Sequence, residues 1–224
     1  MSLAATIEPQ YAPLLRHEPE RLGLMTGHAW ATDPKRLVFT AARYKFVAKM
    51  LDGRKQVLEV GCADAMFSRI VQQHVENLTA IDFDQTFVDD VNTRMVDEWR
   101  FICIKHDMVK APIWNPRYDA IFTLDVLEHI RPEDEAAFLR NCMISLQHHG
   151  VMIVGAPSLE SQPIASEQSR AGHVNCKTGP ELAATMRRYF HSVFLFGMND
   201  ETLHTGHHAM AHYLLAVCAD PRNL

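Results

Sequence analysis

The chain has 224 residues, is 47% hydrophobic and carries a formal net charge of −5. That length suits one α/β domain with an N-terminal extension, and the apolar share is enough to bury a sizeable core. A slightly acidic chain without a Lys/Arg block argues against nucleic acid as the main partner, and no apolar stretch reaches membrane-spanning length. The cysteines, Cys62, Cys103, Cys142, Cys176 and Cys218, are scattered and form no CxxC pair. They read as reduced, mostly buried thiols of a cytoplasmic protein, not as a disulfide framework or a zinc site. The N-terminus lacks the basic-plus-apolar pattern of a signal segment.

Residues 1–32 show little periodicity, and Pro9, Pro13, Pro19, Gly23 and Gly27 break any long element there. Asp33-Pro34 reads as an N-cap followed by a first-turn proline. Leu37, Ala41, Tyr44, Val47 and Leu51 then recur at helical spacing, and Gly53 ends the helix. A strand is expected at about 56–60, a helix at 65–75 and a second strand at 77–82. A helix with Phe87, Val91 and Met95 on one face follows, then strands at 101–105 and 119–124. Pro132 opens a helix carrying Leu139, Cys142 and Leu146, which Gly150 stops before a strand at 151–154. This alternation predicts a doubly wound, mostly parallel sheet. Residues 157–177 read as a long aperiodic loop, with Gly172 as a hinge for a lid over a ligand. Thr178 and Glu181 form a capping-box pattern for a helix reaching about Tyr189. Two apolar runs, 191–197 and 209–218, are joined by a link too short for a crossover helix, so they are expected to pair antiparallel.

The most informative stretch is Val57-Leu58-Glu59-Val60-Gly61-Cys62-Ala63-Asp64-Ala65, an apolar strand with one embedded acid that turns sharply at a glycine. Asp82 closes the next apolar run, Asp107 the one after it, and Asp125-Val126-Leu127-Glu128-His129 the fourth. In this order and spacing the motifs resemble those of class I S-adenosylmethionine-dependent methyltransferases, small-molecule branch. The resemblance covers residues 55–157 well and the rest loosely. It implies a Rossmann-like methyltransferase fold with a seven-stranded, mostly parallel sheet and an antiparallel last hairpin. It divides the chain into an N-terminal extension and cover helix, 1–52, and a catalytic domain, 53–224.

By that resemblance the cofactor is S-adenosyl-L-methionine and the loop from Gly61 through Ala63 to Ala65 cradles it. Glycine at 61 lets the backbone approach a ligand. Family members usually carry glycine also at the positions of Ala63 and Ala65. Alanine tolerates left-handed backbone angles poorly, so a flatter turn or weaker cofactor binding is expected here. Asp82 can accept two hydrogen bonds from a ribose diol, its bland alternative being a helix N-cap. Phe83 is placed against the adenine or in the core. Asp107 accepts from the adenine amino group with Met108 alongside the ring. Glu59 lies near the methionine ammonium, since a carboxylate inside an apolar strand needs a partner. Leu124 and Asp125 line the methyl-transfer centre. Trp30, Arg43 and Tyr44 are candidates to touch the cofactor carboxylate or the acceptor.

Methyl transfer is an in-line displacement at a sulfonium, so positioning supplies much of the acceleration. A hydroxyl acceptor also needs a base, and histidine suits neutral pH. His173 is the first candidate and His129 the second; His204, His207 and His208 lie on the late link, and His212 reads as a core histidine. No metal is expected, although Asp125, Glu128 and His129 resemble part of a divalent-ion cluster of some RNA and quinone-precursor methyltransferases. The expected reaction is O-methylation of a small molecule, a sugar or nucleotide-sugar, with no nucleic-acid or membrane partner. The alternatives are a phenolic quinone precursor as acceptor, a degenerate cofactor-binding domain without turnover, and a nicotinamide oxidoreductase, which the absent GxGxxG disfavours.

Overall fold

The computed structural model describes residues 8–15 and 19–223, so the expectation for residues 1–32 falls partly outside them. Five parallel strands build the centre: β1 (Gln56–Val60), β2 (Asn77–Asp82), β3 (Ile102–Lys105), β4 (Tyr118–Leu124) and β5 (Leu146–Pro157). Then β6 (Phe190–Asn199), β7 (Thr202–His204) and β8 (Tyr213–Pro221) complete one sheet in the order β3-β2-β1-β4-β5-β8-β6-β7. β8 runs antiparallel to both β5 and β6, as the short link between the two late apolar runs requires. The sheet has eight strands where seven were expected. The extra one is β7, a three-residue return on β6 inside the link that looked merely polar.

The central strands are continuous apolar runs because helices cover both faces. On one face α2 (Lys35–Met50), α3 (Ser68–Gln72) and α4 (Gln85–Arg94) meet Val57, Leu78, Ala80, Ala120, Phe122 and Ile153. On the other, α5 (Glu135–Ser145) and α7 (Gly179–Arg187) meet Leu58, Val60, Ile81, Ile121, Met152 and Val154. The alternation within each strand assigns successive side chains to opposite cores. α7 carries the complete capping box of Thr178 and Glu181. All five cysteines are free, and four of them are buried. No helix among the described residues is long and apolar enough to cross a membrane.

Several elements differ from the pattern. α1 (Leu24–Thr32) forms in the stretch read as broken, with Gly27 inside it. Its first-turn N–H groups are capped from elsewhere in the chain: Leu24 N–H by Asp90 and Thr26 N–H by Asp64. The helix expected over 65–75 shrinks to α3, because Ala63 and Ala65 hold left-handed angles (φ 46° and 50°) that a helix cannot include. Leu146 begins β5 instead of ending α5. Residues 157–177 are not structureless: a 3₁₀ turn spans Gln162–Ile164 and α6 spans Glu167–Gly172. Gly172 has no left-handed angle to mark a hinge; its small size lets His129 lie over it.

Strand order reverses between β1 and β4, since the chain winds outward through β2 and β3 before returning to β4. The crevice beyond the carboxyl ends of these strands is where such sheets bind ligands.

Candidate active site

The loop after β1 keeps a glycine-loop shape with one glycine. Gly61, Ala63 and Ala65 have φ of 79°, 46° and 50°. The flatter turn expected from the alanines is therefore not found. At Gly61 a Cβ would run into Val126 of the segment after β4, so glycine here serves the junction of two loops as well as any ligand. Ala63 N–H donates to Asp82 Oδ2 (2.9 Å), and Asp84 N–H donates to Asp82 Oδ1 (2.9 Å). Asp82, buried at the end of β2, thus clamps the strained loop. It is not the helix cap; that is Asp84, whose side chain accepts from Thr86 N–H.

Two left-handed alanines cost roughly 1–2 kcal/mol each. Ala63→Gly should therefore stabilise the protein by about 0.5–1 kcal/mol after the added chain entropy is subtracted. Ala65→Gly should gain less, because its buried methyl is worth about 0.8 kcal/mol in place. Denaturant melts check both values, and a loss of stability in Ala63→Gly would show that the strain is not there.

Glu59 is 1% exposed within β1. The Tyr44 hydroxyl donates to its Oε1 (2.6 Å), and Oε2 has no partner among the described residues. Burial pushes the Glu59 carboxyl up to about 7; the nearby Ser68 and Tyr44 hydroxyls oppose the rise, and Asp82 and Asp64 add to it. Tyr44 therefore orients Glu59 and is itself buried. A carboxyl raised in the fold favours its protonated form, so its contribution is complete below the unfolded value near 4.5 and disappears as pH rises through about 7. Stability should fall between about pH 4.5 and 7, and Glu59→Gln should flatten that fall; melts across the range test it.

Phe83 does not enter the core. It is 70% exposed beside Asp82. Met108 does the opposite and is buried with Leu58, Val60 and Ile81, so its side chain serves the core. Asp107 pairs with Lys110 (2.9 Å) and accepts from Val109 N–H (3.0 Å). Partial burial alone would raise its pKa, but these partners hold it below the usual carboxylate value. Asp64 accepts from Thr26 N–H and Oγ1 and so ties α1 to the loop after β1. Trp30 is 61% exposed and packs little.

Beyond β4, Leu124 is buried and Asp125 takes φ 56°. Both Asp125 carboxylate oxygens accept from Arg43 Nη1 (2.9 and 2.8 Å), and the guanidinium lies 3.7 Å over the Tyr213 ring. Asp125 N–H donates to the Tyr213 hydroxyl (3.2 Å). The Arg43 side chain is thus engaged by Asp125, joining α2 to β4 and β8. Tyr213 gave no motif of its own; it was visible only as part of an apolar run.

Glu128 is 1% exposed, and its Oε2 has no hydrogen-bond partner among the described residues. Burial, with Asp125 adding to the effect, pushes its pKa well above the usual value, and Arg43 pulls against this. His129 Nδ1 lies 2.8 Å from Gly172 O, and His173 Nδ1 lies 2.9 Å from Gln162 Oε1. The two imidazoles sit 5.2 Å apart. Burial and the neighbouring His129 lower the His173 pKa, so it is neutral at physiological pH. Of the remaining histidines, His204 is held by Asn199 (2.7 Å), and His212 is exposed, not a core residue. The structure thus brings Glu128, His129 and His173 together, with Asp125 alongside but committed to Arg43.

Residues 57–150 match a protein family described as a methyltransferase domain. Two Mycobacterium tuberculosis proteins, each called a probable S-adenosylmethionine-dependent methyltransferase, are 26% identical over 104 residues, 46% of this chain. The match spans 36% of those relatives, about a third of their length. A Thermotoga maritima S-adenosylmethionine-dependent methyltransferase, described as a possible histamine N-methyltransferase, superposes with a TM-score of 0.67 at 13% identity, covering 88% of this chain and 96% of that one. The N-methyltransferase NodS of Bradyrhizobium japonicum, in complex with S-adenosylhomocysteine, gives 0.61 at 17% identity over 86% and 92%. Residues 57–150 thus resemble a methyltransferase domain, and the chain shares the fold of S-adenosylmethionine-dependent methyltransferases.

Proposed function

We propose that the protein transfers the methyl group of S-adenosylmethionine to an oxygen of a small molecule, a sugar or nucleotide-sugar hydroxyl. The observation that carries this reading is the convergence of two imidazoles and a buried carboxyl group beyond β4, across the switch point from the loop after β1. An amine acceptor with a free lone pair needs no such group; a hydroxyl benefits from one. Asp82 would accept from the ribose diol with lone pairs not used by Ala63 and Asp84. Phe83 would offer its exposed face to the adenine, and Asp107 would accept from the adenine amino group. Glu59 would balance the methionine ammonium. Gly61 and Ala63 would line the cofactor chain, with Met108 supporting the adenine floor from the core. Leu124 and Asp125 would border the methyl, and His173 or His129 would receive the acceptor proton.

Residues 1–52 act as a cover and 53–224 as the catalytic unit in this reading, supported by the ties from Asp64 and Asp90 to α1. Five free thiols fit a cytoplasmic location. Calorimetry with S-adenosylhomocysteine and with NAD, followed by labelled-methyl transfer to sugars, nucleotide-sugars and phenols, tests the proposal. Transfer to a hydroxyl carries it. Preference for NAD overturns it. Tight S-adenosylhomocysteine binding without transfer to any acceptor supports the degenerate domain, which the two alanines of the loop motivate.

A further inference from the structure

We propose that the outer face of α2, with the exposed apolar side chains beside it, docks the protein on an anionic lipid surface. α2 carries Lys35, Arg36, Arg43, Lys45 and Lys49 and no acid. Arg43 turns inward to Asp125. The other four cations are exposed. Among the described residues only Lys35 of these four meets a carboxylate, that of Asp33 at 3.8 Å. In a chain of net charge −5 this helix reverses the sign locally. The expectation of no membrane partner rests on the charge of the whole chain and the lack of a spanning segment, and neither describes this face.

The stability of the helix does not account for these residues. Lys35 and Arg36 stand in its first turn, where the helix dipole disfavours cations. Lys45 and Lys49 are exposed and four residues apart, so they repel each other. Both choices run against what a free surface helix favours, and such local conflicts gather at functional surfaces. An anionic plane over the helix removes both costs.

The apolar residues decide the partner. Lys35, Val38, Ala42, Lys45 and Lys49 follow each other at alternating steps of three and four residues, so they share one face. Val38 is 53% exposed on that face, and Met50 at the end of the helix is 45% exposed. On its flank, Phe46 packs against Phe196 of β6, with 5.3 Å between ring centres. Phe194, two residues back on the same face of β6, is 57% exposed and pairs with Val217 of β8. α1 packs on α2 and adds the exposed Trp30. Apolar side chains thus interleave with lysines along a helix about 24 Å long. Lysine is a hydrated point charge that suits a diffuse anionic surface, whereas discrete nucleic-acid phosphates favour the guanidinium fork. Val38, Met50 and Phe194 gain nothing against phosphate and water, but they are buried on entering the boundary between headgroups and acyl chains. Docking leaves the crevice intact, because the inward side of α2 keeps Tyr44 on Glu59 and Arg43 on Asp125. The inference is therefore independent of which acceptor is methylated.

The test sediments the full-length protein with phosphatidylcholine vesicles, with and without about a third phosphatidylserine. Binding to the anionic vesicles alone is expected, weakening as salt is raised. Lys45→Gln with Lys49→Gln should lower the partition coefficient about 25-fold, at roughly fivefold per lysine. Val38→Ser with Met50→Ser should lower it as well. Binding that survives either double change intact overturns the proposal, as does no sedimentation with anionic vesicles at low salt. Circular dichroism and melting temperature check that each variant folds; the lysine pair should melt no lower, since a repulsion is removed. Arg140→Gln with Arg187→Gln, on α5 and α7 across the sheet, should bind as the unaltered protein does. An equal loss there would mean that overall charge and not this face drives binding, which overturns the proposal. Tighter, lysine-dependent binding to a single-stranded oligonucleotide or to polyglutamate overturns it too, and would make the partner a nucleic acid or an acidic protein.

Discussion

Replacing His173 with alanine lowers turnover about 10²–10⁴-fold, the range for a lost proton-accepting group, and leaves cofactor affinity nearly unchanged. The geometry separates the two effects. His173 is held by Gln162 and lies beside His129, on the segment that follows β5. Most of the groups assigned to the cofactor sit on β1 and the loop after it and at the ends of β2 and β3; only Leu124 and Asp125, at the end of β4, lie near the His173 side. A variant that loses S-adenosylhomocysteine binding and melting temperature together would show that His173 only holds its segment in place. A variant with unchanged turnover would leave His129 as the group that matters, or none.

What the sequence revealed and what it concealed follow one physical division. Strands buried on both faces show as apolar runs, so β1, β2, β4 and the antiparallel β6–β8 pair were readable. The capping box at Thr178 was readable because both partners lie within four residues. α1 was not, since its caps come from Asp64 and Asp90, far along the chain. The shape of the loop after β1 was misjudged because propensity disfavours left-handed alanine, while Asp82 over-determines that conformation through Ala63 N–H. Arg43 was picked out as a cation for a ligand carboxylate, but a carboxylate of the chain itself, Asp125, already occupies it. Glu128 and His129 were visible as a motif, yet their meeting with His173 depends on two backbone hydrogen bonds from Val174 and Asn175 that no local pattern encodes.

Asp82→Ala should weaken S-adenosylmethionine binding by about 1.5–3 kcal/mol, the cost of losing a charged acceptor. Two routes lead to that loss. The first is direct, through the ribose hydroxyls that a carboxylate at the end of β2 would accept from. The second is through the loop, because Ala63 N–H loses its acceptor at a left-handed residue that is already strained. A double change distinguishes them. Glycine at position 63 relieves the strain, so if the loop route dominates, Ala63→Gly should restore much of the affinity lost in Asp82→Ala. If the direct route dominates, the glycine restores stability but not affinity, and the two substitutions add independently in binding. Calorimetry gives the affinities and denaturant melts the stabilities. Unchanged affinity in a folded Asp82→Ala protein would remove the ribose assignment altogether, and Phe83, exposed one residue on, would then have to be tested as the main adenosine contact.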